Sequence, residues 1–92
     1  MTRRADMAKA FLAGTDWVDA ERKPLAGDAS NRRYERLQTP GLETAVLMDA
    51  PPDKGEDVRP FVAIARYLSA HGLRAPRIFA EDSEHGFLIL ED

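Results

Sequence analysis

The spacing of apolar residues along the chain predicts two helices and five strands. A short helix is predicted over residues 3–14, where Gly14 ends a run with apolar side chains at helical spacing: Met7, Ala8, Phe11 and Leu12. A second helix begins at Asp57 and ends at His71-Gly72, with Pro60 in its first turn. The apolar stripe of this second helix comprises Val58, Phe61, Ile64, Ala65 and Leu68.

The five strands lie between and after these helices. The third carries the near-continuous apolar run 45–48, which is typical of a central strand covered on both faces. The order helix, three strands, helix, two strands excludes a doubly wound parallel fold. It favours an α+β fold with a mostly antiparallel five-stranded sheet, one crossing helix and a short N-terminal helix, and we expect the other face of the sheet to need a partner. The predicted strands are residues 21–26, 32–38, 42–49, 77–81 and 86–90.

Size and composition narrow the class of protein. The 92 residues make one small domain, in which residues 1–20 form a helix and connector and residues 21–92 carry the sheet. Its 13 basic and 16 acidic residues are mixed along the chain, which argues against nucleic acid or an anionic membrane as partner. Cysteine is absent, and His71 and His85 are expected to be exposed, so no metal site is predicted. No apolar run or signal peptide suggests membrane insertion or export, and a cytoplasmic location is expected.

The segment between the first two strands carries the candidate chemistry. The small residues Gly27-Asp28-Ala29-Ser30 form a turn in which backbone N–H groups come close together, a geometry that suits a phosphate. Arg32 and Arg33 follow the turn, and strand alternation puts them on opposite faces of the sheet. From these residues alone, a plain hairpin without a ligand is the favoured interpretation.

Four motifs, occurring in this order, resemble the N-terminal lobe of the aminoglycoside phosphotransferase family. Within that family they are most similar to the branch of amino-sugar kinases that act on N-acetylmuramate and N-acetylglucosamine. The resemblance covers about residues 22–92, and four ordered motifs are far more specific than the turn by itself. The motifs are Gly27-Asp28-Ala29-Ser30-x-Arg32-Arg33-Tyr34, Ala45-Val46-Leu47-Met48-Asp49-Ala50-Pro51-Pro52, Asp57-Val58-Arg59-Pro60-Phe61 and Phe87-Leu88-Ile89-Leu90-Glu91-Asp92.

The resemblance implies the small, ATP-binding lobe of a protein-kinase-like fold. The large lobe of such an enzyme carries the catalytic aspartate, the Mg²⁺ ligands and the acceptor pocket, and its motifs are not found in this sequence. The implied reaction of the complete enzyme transfers the γ-phosphate of ATP to a hydroxyl of a sugar or amino sugar. We therefore expect this chain to bind nucleotide but to be inactive by itself.

The resemblance also implies which residues face the nucleotide. Leu25, Val46 and Leu90 would surround adenine, Glu91 would offer a main-chain carbonyl at the hinge, and the turn would hold the phosphates. Met48 falls where kinases carry a lysine that contacts phosphates. The full set of implied nucleotide-binding residues is Leu25, Gly27, Asp28, Ala29, Ser30, Asn31, Arg32, Arg33, Tyr34, Val46, Met48, Leu90 and Glu91.

The methionine at position 48 departs from the kinase pattern. The glutamate that usually pairs with the lysine is missing too, since residues 58–71 contain no acidic side chain. The absence of both the lysine and its glutamate partner is physically consistent, because either charge buried without the other would destabilise the fold. We hypothesise that Arg32 or Arg33 supplies the cation, since a guanidinium can hold a phosphate through two donors. The loop 51–56 is assigned no chemistry.

Two other classes of function stay open at this point. The missing lysine–glutamate pair is also what a catalytically inactive kinase-like binding or regulatory module would show. A plain α+β interaction domain, using an exposed face of the sheet, is the third interpretation.

Overall fold

The computed structural model describes residues 3–26 and 31–92, and they form an α+β fold with the predicted order of elements. The third strand begins later than predicted, at Ala45, and Leu42 lies exposed ahead of it. The helices and strands are α1 (Arg3–Ala13), β1 (Glu21–Leu25), β2 (Arg33–Gln38), β3 (Ala45–Asp49), α2 (Arg59–Ala70), β4 (Ile78–Asp82) and β5 (Phe87–Glu91).

The five strands form one antiparallel sheet in the order β1-β2-β3-β5-β4. The predicted fold class is therefore confirmed. Pro24 lies in β1, at the edge of the sheet, where a residue without a backbone N–H is tolerated. Of the three inner strands, β3 and β5 carry the apolar runs, because their side chains are covered on both faces.

One face of the sheet packs against α2. Met48, Leu88 and Leu90 of this face form a buried cluster with Val58 and Val62. We call this side of the sheet the α2 face. The predicted apolar stripe of α2 is partly wrong, since Val62 is 5% exposed and Ile64 is 61% exposed. Val58 and Ala65 of the predicted stripe are buried, and Val62 is buried with them at i, i+4 and i+7 spacing.

The opposite face of the sheet packs against α1. Leu12 of the helix joins Leu47, Phe87 and Ile89 of the strands in a second buried cluster. The ring of Phe11 stacks on Phe87 with centroids 5.6 Å apart. Because the chain's own first helix covers this face, the expectation that the face needs a separate partner is wrong.

Local capping sets both ends of α2. The backbone N–H of Arg59 donates to Asp57 Oδ1 at 3.0 Å, which satisfies a donor that has no partner within the helix. At the other end, Gly72 has a φ of +72° and the N–H of Leu73 donates to the carbonyl of Leu68 at 2.9 Å. The predicted boundaries of this helix are confirmed to within two residues.

Candidate functional site

The strand register brings the predicted apolar site residues onto a single face. Leu25 lies opposite Tyr34 and Tyr34 opposite Met48, while Val46 lies opposite Leu90. Directly opposed residues of antiparallel strands project to the same side. All five side chains therefore occupy two adjacent cross-strand rows on the α2 face.

Helix α2 covers only part of these two rows. Met48, with 2% of its side chain exposed, belongs to the core beneath the helix, and Leu90 is buried beside it. Leu25 on β1, Tyr34 on β2 and Val46 on β3 keep part of their surface exposed. These three side chains form a partly exposed apolar strip, beside which Arg36 lies directly opposite Val46. Its apolar surface is one on which a planar aromatic base can pack.

The two arginines after the turn point to different sides of the sheet. Arg33 lies opposite Asp49 in the β2–β3 register, and therefore on the face that α1 covers. There it lines a small cavity of about 110 Å³ together with Arg4, Arg22, Glu35, Leu47 and Asp49. Arg32 is one residue earlier and lies on the α2 side, where its Nε donates to Glu56 Oε1 at 2.8 Å.

Glu56 lies in the loop between β3 and α2, and it also contacts Asn31. Its Oε2 accepts a 3.4 Å hydrogen bond from the backbone N–H of Asn31, while Asn31 Nδ2 donates to the carbonyl of Lys54 at 3.1 Å. Partial burial of Arg32 would lower its pKa, but hydrogen bonds and charge attraction from Glu56 and Tyr34 outweigh it and raise that pKa above its ordinary value. Arg32 is thus a fixed cation at the edge of the site.

Sequence reasoning missed Glu56, since it assigned no chemistry to the loop 51–56. A 3₁₀ helix over Pro52–Lys54 orders this loop, and Gly55 ends it with a φ of +85°. The available signal was an acidic residue that precedes a helix whose own sequence has no carboxylate. The predicted phosphate-binding residues Gly27, Asp28, Ala29 and Ser30 lie outside the described residues.

The end of β5 is held by two different contacts. Glu91 donates its N–H to the carbonyl of Arg77 at 2.8 Å and accepts the N–H of Arg77 on its side chain at 3.1 Å. Asp92 accepts hydrogen bonds from Arg36 Nε at 2.8 Å and Thr44 Oγ1 at 2.7 Å. The hydrogen bond from Arg36, followed by that from Thr44, lowers the pKa of Asp92. These contacts tie the predicted hinge to β2 and to the approach to β3.

Among residues 3–26 and 31–92, no group of three or more His, Cys, Asp or Glu side chains is arranged to hold a metal ion. Both histidines are exposed, as predicted. His85 Nδ1 lies 2.8 Å from Asp82 Oδ2. Neither helix in the described part of the chain is long and apolar enough to cross a membrane.

The fold agrees with what sequence comparison finds. Residues 21–92 match the phosphotransferase enzyme family, APH, and the chain belongs to that family. The predicted family is thereby confirmed, and the five-stranded sheet with its packed helix is a kinase-like small lobe.

Similar proteins in this family carry the name N-acetylmuramate/N-acetylglucosamine kinase. The chain is 52% identical to the protein of that name from Pseudomonas aeruginosa over 79% of its own length. It is 37% identical to the one from Caulobacter vibrioides over 90% of its length, and 49% identical to the one from Pseudomonas putida over 73%. The matches span 21%, 30% and 19% of those relatives, so the chain corresponds to less than a third of each.

Proposed function

We propose that this chain is the ATP-binding lobe of a kinase that transfers the γ-phosphate of ATP, with Mg²⁺, to a hydroxyl of an amino sugar. The observation that carries the proposal is the partly exposed apolar strip of Leu25, Tyr34 and Val46 on the α2 face, with the cation Arg32 at one end. Membership in the phosphotransferase family and the names of the similar kinases support the class of reaction and of acceptor.

The residues present fit a nucleotide. Adenine would pack on Leu25 and Val46, with buried Leu90 behind them, because these side chains share one face and offer apolar surface. Met48 would support this surface from the core rather than touch a phosphate, since α2 covers it. Glu91 would contribute a main-chain carbonyl at the hinge.

The triphosphate would extend from the apolar strip toward Asn31 and Arg32. Arg32 would contact phosphate, and Asn31 would help to define the end of the turn. Arg33, on the opposite face of the sheet, would affect phosphate binding only indirectly, through the conformation of the turn. The Mg²⁺ ligands and the catalytic base would come from the remainder of the complete protein, which would also hold the acceptor. The part of this lobe in catalysis would be positioning and charge stabilisation.

The test is an acceptor screen with the complete protein, ATP and Mg²⁺, in which ADP release and phosphorylated sugar are both measured. N-acetylglucosamine and N-acetylmuramate are the expected acceptors, and an aminoglycoside serves as a comparison from the wider family. ADP release that no sugar stimulates would overturn the proposal and favour a catalytically inactive binding or regulatory module. A cytoplasmic location for the parent protein stays a prediction.

A bulky side chain on the apolar strip tests the nucleotide face separately. Val46→Trp would fill the space of adenine, and it is expected to raise the KM for ATP at least about tenfold, equivalent to ~1.4 kcal/mol, while the KM for the sugar stays within about twofold. Val18→Trp is the matched control, because Val18 is an exposed residue of the connector after α1. Equal effects of the two substitutions would contradict this location of the base.

A further inference from the structure

The ion pair between Arg32 and Glu56 joins two segments that are distant in sequence. Arg32 comes directly before β2, and Glu56 lies two residues before the cap of α2 at Val58. The side chain of Arg32 is 27% exposed and that of Glu56 15% exposed, so both are largely withdrawn from water. An ion pair in such surroundings is screened less than one at the open surface.

The register fixes where this cation lies relative to Met48. Tyr34 is directly opposite Met48, and Arg32 is two residues earlier along the same chain direction. Two residues of extended chain span roughly 7 Å, which the long side chain of an arginine can bridge. The guanidinium therefore comes from the residue directly before β2, the strand next to β3, one row beyond the buried methionine.

The residues around Arg32 allow it to take the place of a cation at position 48 of β3. Met48 is apolar and buried, and α2 (Arg59–Ala70) contains no aspartate or glutamate that could pair with a cation there. Glu56 lies just outside the helix, so a carboxylate next to α2 and a cation on the α2 face still form a pair. A guanidinium has five N–H donors, enough for Glu56, Tyr34 and an anion together.

We propose that Glu56 is a positioning residue for Arg32, and that the Arg32–Glu56 pair supplies the phosphate-binding cation that β3 lacks. This inference rests on the proposed function, because it assumes that the α2 face holds a nucleoside triphosphate. Glu56 also accepts the N–H of Asn31, so one carboxylate orients both residues at the end of the phosphate-binding turn. The approach to α2 is thereby tied to Asn31 and Arg32.

The first experiment measures nucleotide affinity in the complete protein by calorimetry, using adenosine, ADP and ATP. Glu56→Gln keeps the size of the side chain but removes the charge that holds Arg32. We expect its Kd for ATP to rise at least about fivefold and its Kd for adenosine to stay within about twofold, because only the phosphates meet Arg32. Arg32→Ala should cause the same pattern, and the double variant should be no worse than Arg32→Ala.

The matched control is Glu81→Gln, which removes the partner of Arg66 in another pair between α2 and the sheet. It is expected to leave the affinities for all three nucleotides within about twofold of the unsubstituted protein. If Glu56→Gln changes the affinities for adenosine and ATP by the same factor, or changes neither, the pair is only structural and the inference is overturned. If Glu56→Gln does not fold, Arg32→Lys carries the test, since it keeps the charge and loses the Nε donor. Arg32→Lys should weaken ATP alone, and unchanged ATP affinity would overturn the inference.

The outcomes separate this inference from the function on which it rests. A complete protein that binds neither adenosine nor ATP refutes both. A protein that phosphorylates an amino sugar, but whose Glu56→Gln variant binds ATP normally, refutes only the role of Glu56.

Discussion

Arg4 of α1 donates from Nε, at 3.0 Å, and from Nη2, at 2.5 Å, to Oδ1 of Asp49 on β3. The same guanidinium lies 4.2 Å from the centroid of the Phe87 ring and donates from Nη1 to the carbonyl of His85. One side chain thus connects the first helix to β3, to β5 and to the turn before β5. Since Asp49 immediately follows Met48, this contact holds the strand behind the candidate site.

Removing the guanidinium should loosen α1 from the sheet. We expect Arg4→Ala to lower the free energy of unfolding by about 1–2 kcal/mol, because partly buried charged hydrogen bonds and a cation–π contact are lost together. Urea unfolding of the complete protein measures the loss, and amide exchange in α1 should become faster. The control is Arg3→Ala at a neighbouring exposed residue, and an equal loss there would contradict the role of Arg4.

Gly86 should tolerate no side chain. Its φ is +79°, and an added Cβ would lie 2.0 Å from the carbonyl oxygen of Ala50. Gly86→Ala is therefore expected to lower the free energy of unfolding by at least about 3 kcal/mol, from backbone strain and displacement of Ala50. Gly41 has a similar φ of +86° but nothing within 4 Å, so Gly41→Ala should cost only about 1 kcal/mol. Equal losses in thermal or urea unfolding would refute the argument from the clash.

Introducing a lysine on β3 in place of Met48 should lower the stability of the fold. Met48→Lys would bury an ammonium beneath α2, which has no carboxylate of its own, and is expected to destabilise folding by about 3–5 kcal/mol. Met48→Leu, which keeps the apolar volume, should cost under about 1.5 kcal/mol. The comparison is made by urea unfolding, and a stable Met48→Lys variant with higher affinity for ATP would show that the side chain can reach the nucleotide.

The turn between β4 and β5 should make stability depend on pH in the acid range. Burial would raise the pKa of Asp82, but hydrogen bonds from the His85 side chain and backbone, and its charge, outweigh burial and lower that pKa below its ordinary 3.8. The folded-state pKa is thus the lower one, so the stabilisation is present above pH 3.8 and is lost as the pH falls through the folded value.

Asp82→Asn should therefore lose less stability than the unsubstituted protein between about pH 5 and about pH 2. The free energy of unfolding, measured by urea titration at several pH values, gives the two slopes. Asp53→Asn, at an exposed residue of the 3₁₀ helix, is the control and should keep the original slope. Identical slopes for Asp82→Asn and the unsubstituted protein would refute the contribution of this turn.

The features that local sequence predicted well are those that depend on neighbouring residues. The helix over Arg59–Ala70 follows from Asp57, Pro60 and Gly72, which set its ends through a local side-chain hydrogen bond and backbone geometry. The common face of Val46 and Met48 follows from strand alternation, which has a period of two. The stripe on α2 was less predictable, because Ile64 and Val62 are both apolar and only packing against the sheet selects Val62.

By itself, the sequence determined the order of the elements, the family and the separation of Arg32 and Arg33 onto different faces, since periodicity and motifs are encoded within short stretches. Only the tertiary structure decided that α1 covers the second face and that Glu56 meets Arg32, 24 residues away. Contacts of this kind depend on how the sheet twists and on the path of each loop. From the sequence alone, many other acidic side chains could have been the partner of Arg32. Contact between segments distant in the chain is the result of packing the whole domain.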